Sequence, residues 1–212
     1  MNRPVEDILP DQRREGSVRL MSGGRTLLSV PADAVASERI AVGTLVGADQ
    51  MERLESAADR AAAYRTALRL LERRPYGRVD LGRRLRLKGH SPEALAFALE
   101  RAEQAGFLDD AKFAAHYVQS RSARGRGPSR LRRELQGMGV EKATVDQALG
   151  PELTDPEAVH ERVRLLIAKR LPQVQGRPDA EARRRLLAFL ARRGFAGLEI
   201  GRLVREAVRG VG

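Results

Sequence analysis

One spacing, Leu-x3-Leu-x3-Gly, occurs three times and limits what this chain can fold into. It falls at Leu81, Leu85 and Gly89, then at Leu131, Leu135 and Gly139, then at Leu186, Leu190 and Gly194. Two leucines four positions apart share one face of a helix. A glycine four positions further on is placed to end that helix, because Gly accepts the left-handed conformation of a C′ residue. Each triplet follows a longer helical pattern and precedes a shorter one, marked by Val145 and Leu149 in the second case and by Ile200, Leu203 and Val204 in the third. The reading is mainly α: three tandem three-helix repeats over residues 49–105, 106–150 and 151–212, after an N-terminal region over residues 1–48. Units so small bury little apolar surface alone, so neighbours are expected to stack.

The chain before the first triplet reads differently. Residues 1–15 are polar, mixed in charge and broken by Pro4 and Pro10, the composition of a loose, disordered start. From Ser17 to Val30, apolar residues alternate on both sides of Ser22-Gly23-Gly24, which predicts a small β-hairpin. An isolated hairpin is marginally stable in water, so it is expected to pack on Leu45 and Val46. A long helix is predicted over 51–73, with Leu68, Leu70 and Leu71 on its packed side, ended by Pro75 and Gly77. A second helix covers 78–88. A third starts from Ser91 as N-cap, with Pro92 at the first helical position. Asp155-Pro156-Glu157 carries the same signature at the start of the third unit, which has a longer loop through Pro172 and Pro178.

The densest pattern runs from Gly106 to Val140. Asp109 and Asp110 sit where a helix should begin, able to accept an orphan N–H and to meet the positive end of the dipole. Phe113, Tyr117 and Arg121 follow at steps of four, beside Ala114 and Val118. Gly125, Gly127 and Pro128 break that helix, and Leu131, Leu135 and Met138 line the next.

This segment resembles the RecX family, the regulators of the RecA recombinase. The resemblance is carried by Gly106, Phe107, Leu108, Asp109, Asp110, Phe113, Ala114, Val118, Arg121, Gly127, Leu131, Glu134, Leu135, Gly139 and Val140, and upstream by Leu81, Leu85, Lys88 and Gly89. It covers about residues 60–150. It implies three-helix repeats in an elongated, curved array, with an N-terminal hairpin found in some relatives. It implies a non-enzymatic protein, acting as a monomer, that lodges in the groove of the RecA–DNA filament. Blocking extension or promoting disassembly would lower ATP hydrolysis, strand exchange and the co-protease activity behind the damage response.

Charge bears on that expectation. The chain holds 39 Lys and Arg against 28 Asp and Glu, a net of +11. Residues 1–60 carry 8 basic and 10 acidic side chains, so the excess lies on the helical part. An anionic partner is expected there, an acidic protein surface or DNA, with DNA contacts weak or made within the filament. Only four of the basic residues are Lys, so an Arg-rich composition with solvated helix faces is the plainer alternative. The candidate contact residues are Arg121, Arg124, Arg126, Arg130 and Arg133 around the glycine loop, with Arg83, Arg84 and Lys88 upstream. A guanidinium grips phosphate and carboxylate alike in two-pronged geometry. A third cluster lies at Arg183, Arg184, Arg185, Arg192 and Arg193. The predicted repeat core is Leu81, Leu85, Gly89, Phe113, Leu131, Leu135, Gly139, Leu186, Leu190 and Gly194.

Other chemistry finds no support. Gly125-Arg126-Gly127-Pro128-Ser129 lacks the Gly-Lys-Ser/Thr ending of a nucleotide loop and reads as a helix connector. Asp109 and Asp110 read as helix caps. His90, His116 and His160 are far apart, and no metal site or other cofactor is assigned. There is no cysteine, no Gly-x-Ser-x-Gly elbow and no apolar run of membrane-spanning length. With no leader pattern at its start, the chain is expected in the cytoplasm. Phe107, Phe113, Phe189 and Phe195 read as core, and Tyr76 is the one fair candidate for base stacking. The rival to the filament regulator is a basic helical protein that binds single- or double-stranded DNA directly.

Overall fold

Val5, Leu20, Val30 and Val46 are almost fully buried and form the heart of the first of four cores among the described residues. The structure, a computed structural model, describes residues 3–209, with the side chains of residues 151 and 152 excepted. The strands around that core are β1 (Arg3–Pro4), β2 (Asp7–Pro10), β3 (Ser17–Ser22), β4 (Arg25–Pro31) and β5 (Leu45–Val46). β3 and β4 are the expected hairpin, pairing Val18 with Val30 and Leu20 with Leu28. Gly23 and Gly24 both take positive φ, as the favoured two-residue hairpin turn requires. Residues 3–10 are not a loose tail, while residues 1 and 2 lie outside the described residues. β2 adds a third antiparallel strand through Ile8↔Leu20, and β1 pairs with β5. Between them Val5 donates its N–H to the Thr44 carbonyl and accepts from Gly43, so its side chain is held in the core. The hairpin thus packs with Val46 as expected, whereas Leu45 is 59% exposed. A short helix, α1 (Ala32–Ser37), adds Val35 to this core.

The long helix α2 (Ala48–Arg73) serves two cores. Its first turns give Leu54 to the N-terminal core, and its later turns give Ala63 and Ala67 to the first helical bundle. That bundle is completed by α3 (Arg78–Leu87) and α4 (Pro92–Gln104), with Ser91 Oγ accepting from the Ala94 N–H as the predicted cap. Leu108 closes that core. The chain divides there into two compact units, residues 1–108 and 109–212.

The second unit holds the other two bundles. One comprises α5 (Asp110–Ser122), α6 (Pro128–Gly137), α7 (Lys142–Leu149) and the single turn α8 (Pro151–Thr154), whose Leu153 joins the same core as Phe113 and Leu135. The other comprises α9 (Pro156–Arg170), α10 (Asp179–Arg193) and α11 (Leu198–Arg209), and it begins at the Asp155 cap. All six triplet leucines are fully buried, each contributing about 1.5–3 kcal/mol of apolar burial. All three triplet glycines have φ between 84° and 94°. In each case the next residue donates its N–H to the carbonyl of the second leucine, at 3.5 Å for Leu85, 3.1 Å for Leu135 and 3.0 Å for Leu190. The spacing is therefore a helix core and its Schellman stop written together.

Candidate partner interface

The glycine loop before α6 is a seam between the second and third bundles. Gly127 donates its N–H to the Arg193 carbonyl at 2.6 Å. A Cβ on Gly127 would lie 2.7 Å from the Gly194 carbonyl oxygen, and one on Gly194 would lie 2.5 Å from the Arg130 backbone nitrogen. Both positions must be glycine for the two backbones to approach this closely. Side chains bind the seam from both directions. Arg193 donates to the carbonyls of Arg124 and Gly125 at 3.0 and 3.2 Å, and Arg130 donates to the Arg192 carbonyl at 2.8 Å.

Glu134 holds the near side. Its carboxylate accepts from Arg126 at 2.5 Å, from Arg130 at 2.9 Å and from the Tyr117 hydroxyl at 2.9 Å. Burial works to raise its pKa, but the hydrogen bonds from Arg130, Tyr117 and Arg126 more than offset that, and the carboxyl titrates below its ordinary value. Among the cations around this loop, Arg126 and Arg130 are thus tied into the fold. Arg121 lies over the Tyr117 ring, 5.4 Å from its centroid. Arg124 and Arg133 are exposed and make no ion pair among the described residues.

The second helix of each bundle turns cations outward. On α3, Arg83, Arg86 and Lys88 are exposed without a carboxylate partner among the described residues, while Arg84 sits 3.9 Å from Asp80. Val79 and Leu87, 45% and 79% exposed, lie one turn either side of Arg83. On α6 the exposed cation is Arg133, since Arg132 pairs with Asp146 at 3.0 Å. On α10, Arg184 and Arg192 are exposed, whereas Arg185 pairs with Glu181 at 2.8 Å. Arg83 and Arg133 occupy equivalent places, two positions after the first leucine of their triplets. A guanidinium can offer several donors to one anion, and the α3 face carries exposed apolar side chains, Val79 and Leu87, beside its cations.

The polar pairs elsewhere have structural roles. Asp109 caps α5, accepting from the Lys112 N–H at 2.9 Å. Asp59 of α2 meets His90 Nδ1 at 2.6 Å and accepts from the Ser91 N–H at 2.8 Å, fastening the start of α4 to α2. No spacing rule could find that pair across 31 residues. No group of three His, Asp or Glu among the described residues could hold a metal ion. Tyr76 is not an exposed stacking ring. It is 7% exposed in the first bundle's core and lies under the Arg74 guanidinium, 3.7 Å from its centroid. Phe107, read as core, is instead 59% exposed, because its Schellman turn directs Leu108 inward in its place. No helix among the described residues is long and apolar enough to cross a membrane.

Three family models match in series: the first three-helix domain of RecX over residues 63–101, the second over 109–149 and the third over 157–203. The regulatory protein RecX of Pseudomonas putida strain GB-1 is 39% identical over 144 residues, covering 68% of this chain and 89% of its own. The protein of the same name from Pseudomonas fluorescens is 37% identical over 144 residues, covering 68% and 90%. A crystal structure of regulatory protein RecX superposes with a TM-score of 0.76 at 20% identity, covering 97% of this chain and 100% of that one. RecX from Lactobacillus salivarius gives 0.62 at 18% identity, covering 72% and 98%. At those identities the two structures speak to the fold.

Proposed function

This chain belongs to the RecX family, and on that premise we propose that it is a non-enzymatic regulator of the RecA recombinase. It engages the RecA–DNA filament and lowers ATP hydrolysis, strand exchange and co-protease activity, acting in the cytoplasm on recombinational repair and the damage response. Relatives in the family are named regulatory proteins, which supports regulation over catalysis. The observation that carries the reading is the set of exposed cations on α3, α6 and α10 that have no carboxylate partner among the described residues. A folded chain that self-repels in this way gains by meeting an anionic surface. Three bundles in one chain let several weak contacts add up.

Arg83, Lys88, Arg124 and Arg133 are the contact residues of this proposal. Arg126 and Arg130 belong with them only through the seam they hold. A direct DNA-binding role uses the same cations on phosphates, and the two readings separate on salt. Affinity for naked DNA falls by decades as salt rises when many phosphates are engaged. The filament reading expects affinity for RecA-coated single-stranded DNA to exceed that for the bare strand and to fall less steeply with salt. Equal affinity for coated and bare DNA at every salt concentration would replace it with the DNA-binding reading.

A further inference from the structure

The third bundle leaves Leu165 of α9 uncovered by any described residue. Val163 and Ile167 point into the core, while Leu165 is 64% exposed. Leu165 and Leu166, with Phe189 of α10, floor a cleft of about 760 Å³. Its far wall is the end of α5 and the Ser122–Gly125 turn, so the seam between the second and third bundles builds the site. Five cationic side chains line it against one carboxylate, Glu161, which is already 3.2 Å from Arg164. Arg162 and Arg193 hold backbone carbonyls of the turn. Arg170 bonds the neutral Gln173 side chain, has no carboxylate partner among the described residues, and lies over Phe189, 5.4 Å from its centroid. Arg124 and Lys169 are exposed and have no carboxylate partner among the described residues.

We propose that this cleft is a docking site for a short acidic segment of a partner protein. The segment seats an apolar side chain on Leu165 and Leu166 and sets its carboxylates against Arg124, Lys169 and Arg170. Charge complementarity fixes the acidic character, and the apolar floor requires a side chain that a phosphate backbone does not carry. Base stacking is disfavoured because the Phe189 ring is already engaged by two guanidinium groups, Arg170 and, at 4.6 Å, Arg193.

The test uses the full chain and contains no recombinase, so its failure is distinct from failure of the filament reading. The probe is a fluorescein-labelled peptide of Asp and Glu carrying two leucines one helical turn apart, followed by anisotropy. The controls are the same peptide with serine for leucine and an unlabelled single-stranded oligonucleotide as competitor. Wild type is expected to bind the leucine peptide saturably. Serine for leucine, or Leu165→Glu in the protein, weakens binding by about tenfold or more, the loss expected for an apolar anchor. Lys169→Glu weakens it as well. Should Leu165→Glu melt early, Leu165→Asn makes the same comparison. Equal binding of the two peptides, full binding by the Leu165 variant, no saturable binding by wild type, or competitive displacement by the oligonucleotide would each overturn the proposal.

Discussion

Two glycine-to-alanine substitutions at opposite ends of α6 are predicted to move stability in opposite directions. Gly137 sits in the last turn with nothing within 4 Å of an added Cβ. Alanine there removes only the excess freedom of glycine in the unfolded chain and is expected to stabilise by about 0.5–1 kcal/mol. Gly127 has φ −88°, which alanine adopts freely, so backbone preference alone predicts the same sign. The seam reverses it. The new methyl carbon would stand 2.7 Å from the Gly194 oxygen, 2.8 Å from its carbonyl carbon and 2.9 Å from a Phe195 ring carbon. Two of these are backbone atoms and cannot swing aside, so the bundles must separate by several tenths of an ångström. Overpacking of this kind costs about 1–3 kcal/mol. Stretching the bond from Gly127 N–H to the Arg193 carbonyl adds up to about 1 kcal/mol. For a unit of roughly 100 residues, each kcal/mol moves Tm by about 4–8 °C. Thermal unfolding of the full chain should show the Gly127→Ala transition falling and the Gly137→Ala transition rising, with amide exchange locating the loss at the α5–α6 turn. A Gly127→Ala protein as stable as wild type would refute the close approach of these two backbones.

Leu135→Ala empties a fully buried site and should cost about 2–5 kcal/mol, read by urea unfolding. Glu134→Ala strips Arg126, Arg130 and Tyr117 of their shared acceptor and should cost about 1.5–3 kcal/mol at neutral pH. Because Glu134 titrates lower in the folded state than in the unfolded one, its contribution is fully present above the unfolded value of about 4.3 and fades as pH falls through the folded value. Wild type should therefore lose more stability than Glu134→Ala between neutral pH and pH values below about 4, and parallel loss in the two proteins would count against the network. Asp59→Ala should cost about 1–3 kcal/mol and raise amide exchange at the start of α4, where the Ser91 N–H loses its acceptor. Unchanged exchange there would mean the contact does not secure α4.

The elements legible in the sequence are those whose causes are local. Leu131, Leu135 and Gly139 encode a buried face and its stop within nine residues, and Asp109, Ser91 and Asp155 cap helices three positions away. What was not legible depends on partners distant in the chain. Polar, proline-broken residues 3–10 become strands because β3 and the remote Leu45–Val46 supply their hydrogen bonds. Ala63 and Ala67 look like ordinary helix formers, yet they allow close packing in one core while Leu54 of the same helix serves another. Arg126 and Arg130 stand in a dense run of cations, and that density does not show that Glu134 holds both. The i, i+4 spacing of Arg130 and Glu134 was the available sign that they are paired. The exposure of Leu165 and Leu87 had no such sign, since helix periodicity shows a stripe without showing which stripe is covered.

The most direct test of regulation is the RecA ATPase rate on single-stranded DNA, measured while this protein is added in amounts well below one per RecA protomer. The account predicts that the rate falls with wild type and stays high with a chain carrying Arg83→Glu, Lys88→Glu and Arg133→Glu, whose substitutions all lie on exposed positions. An undiminished rate with folded wild-type protein, or equal inhibition by the charge-reversed chain, would contradict it.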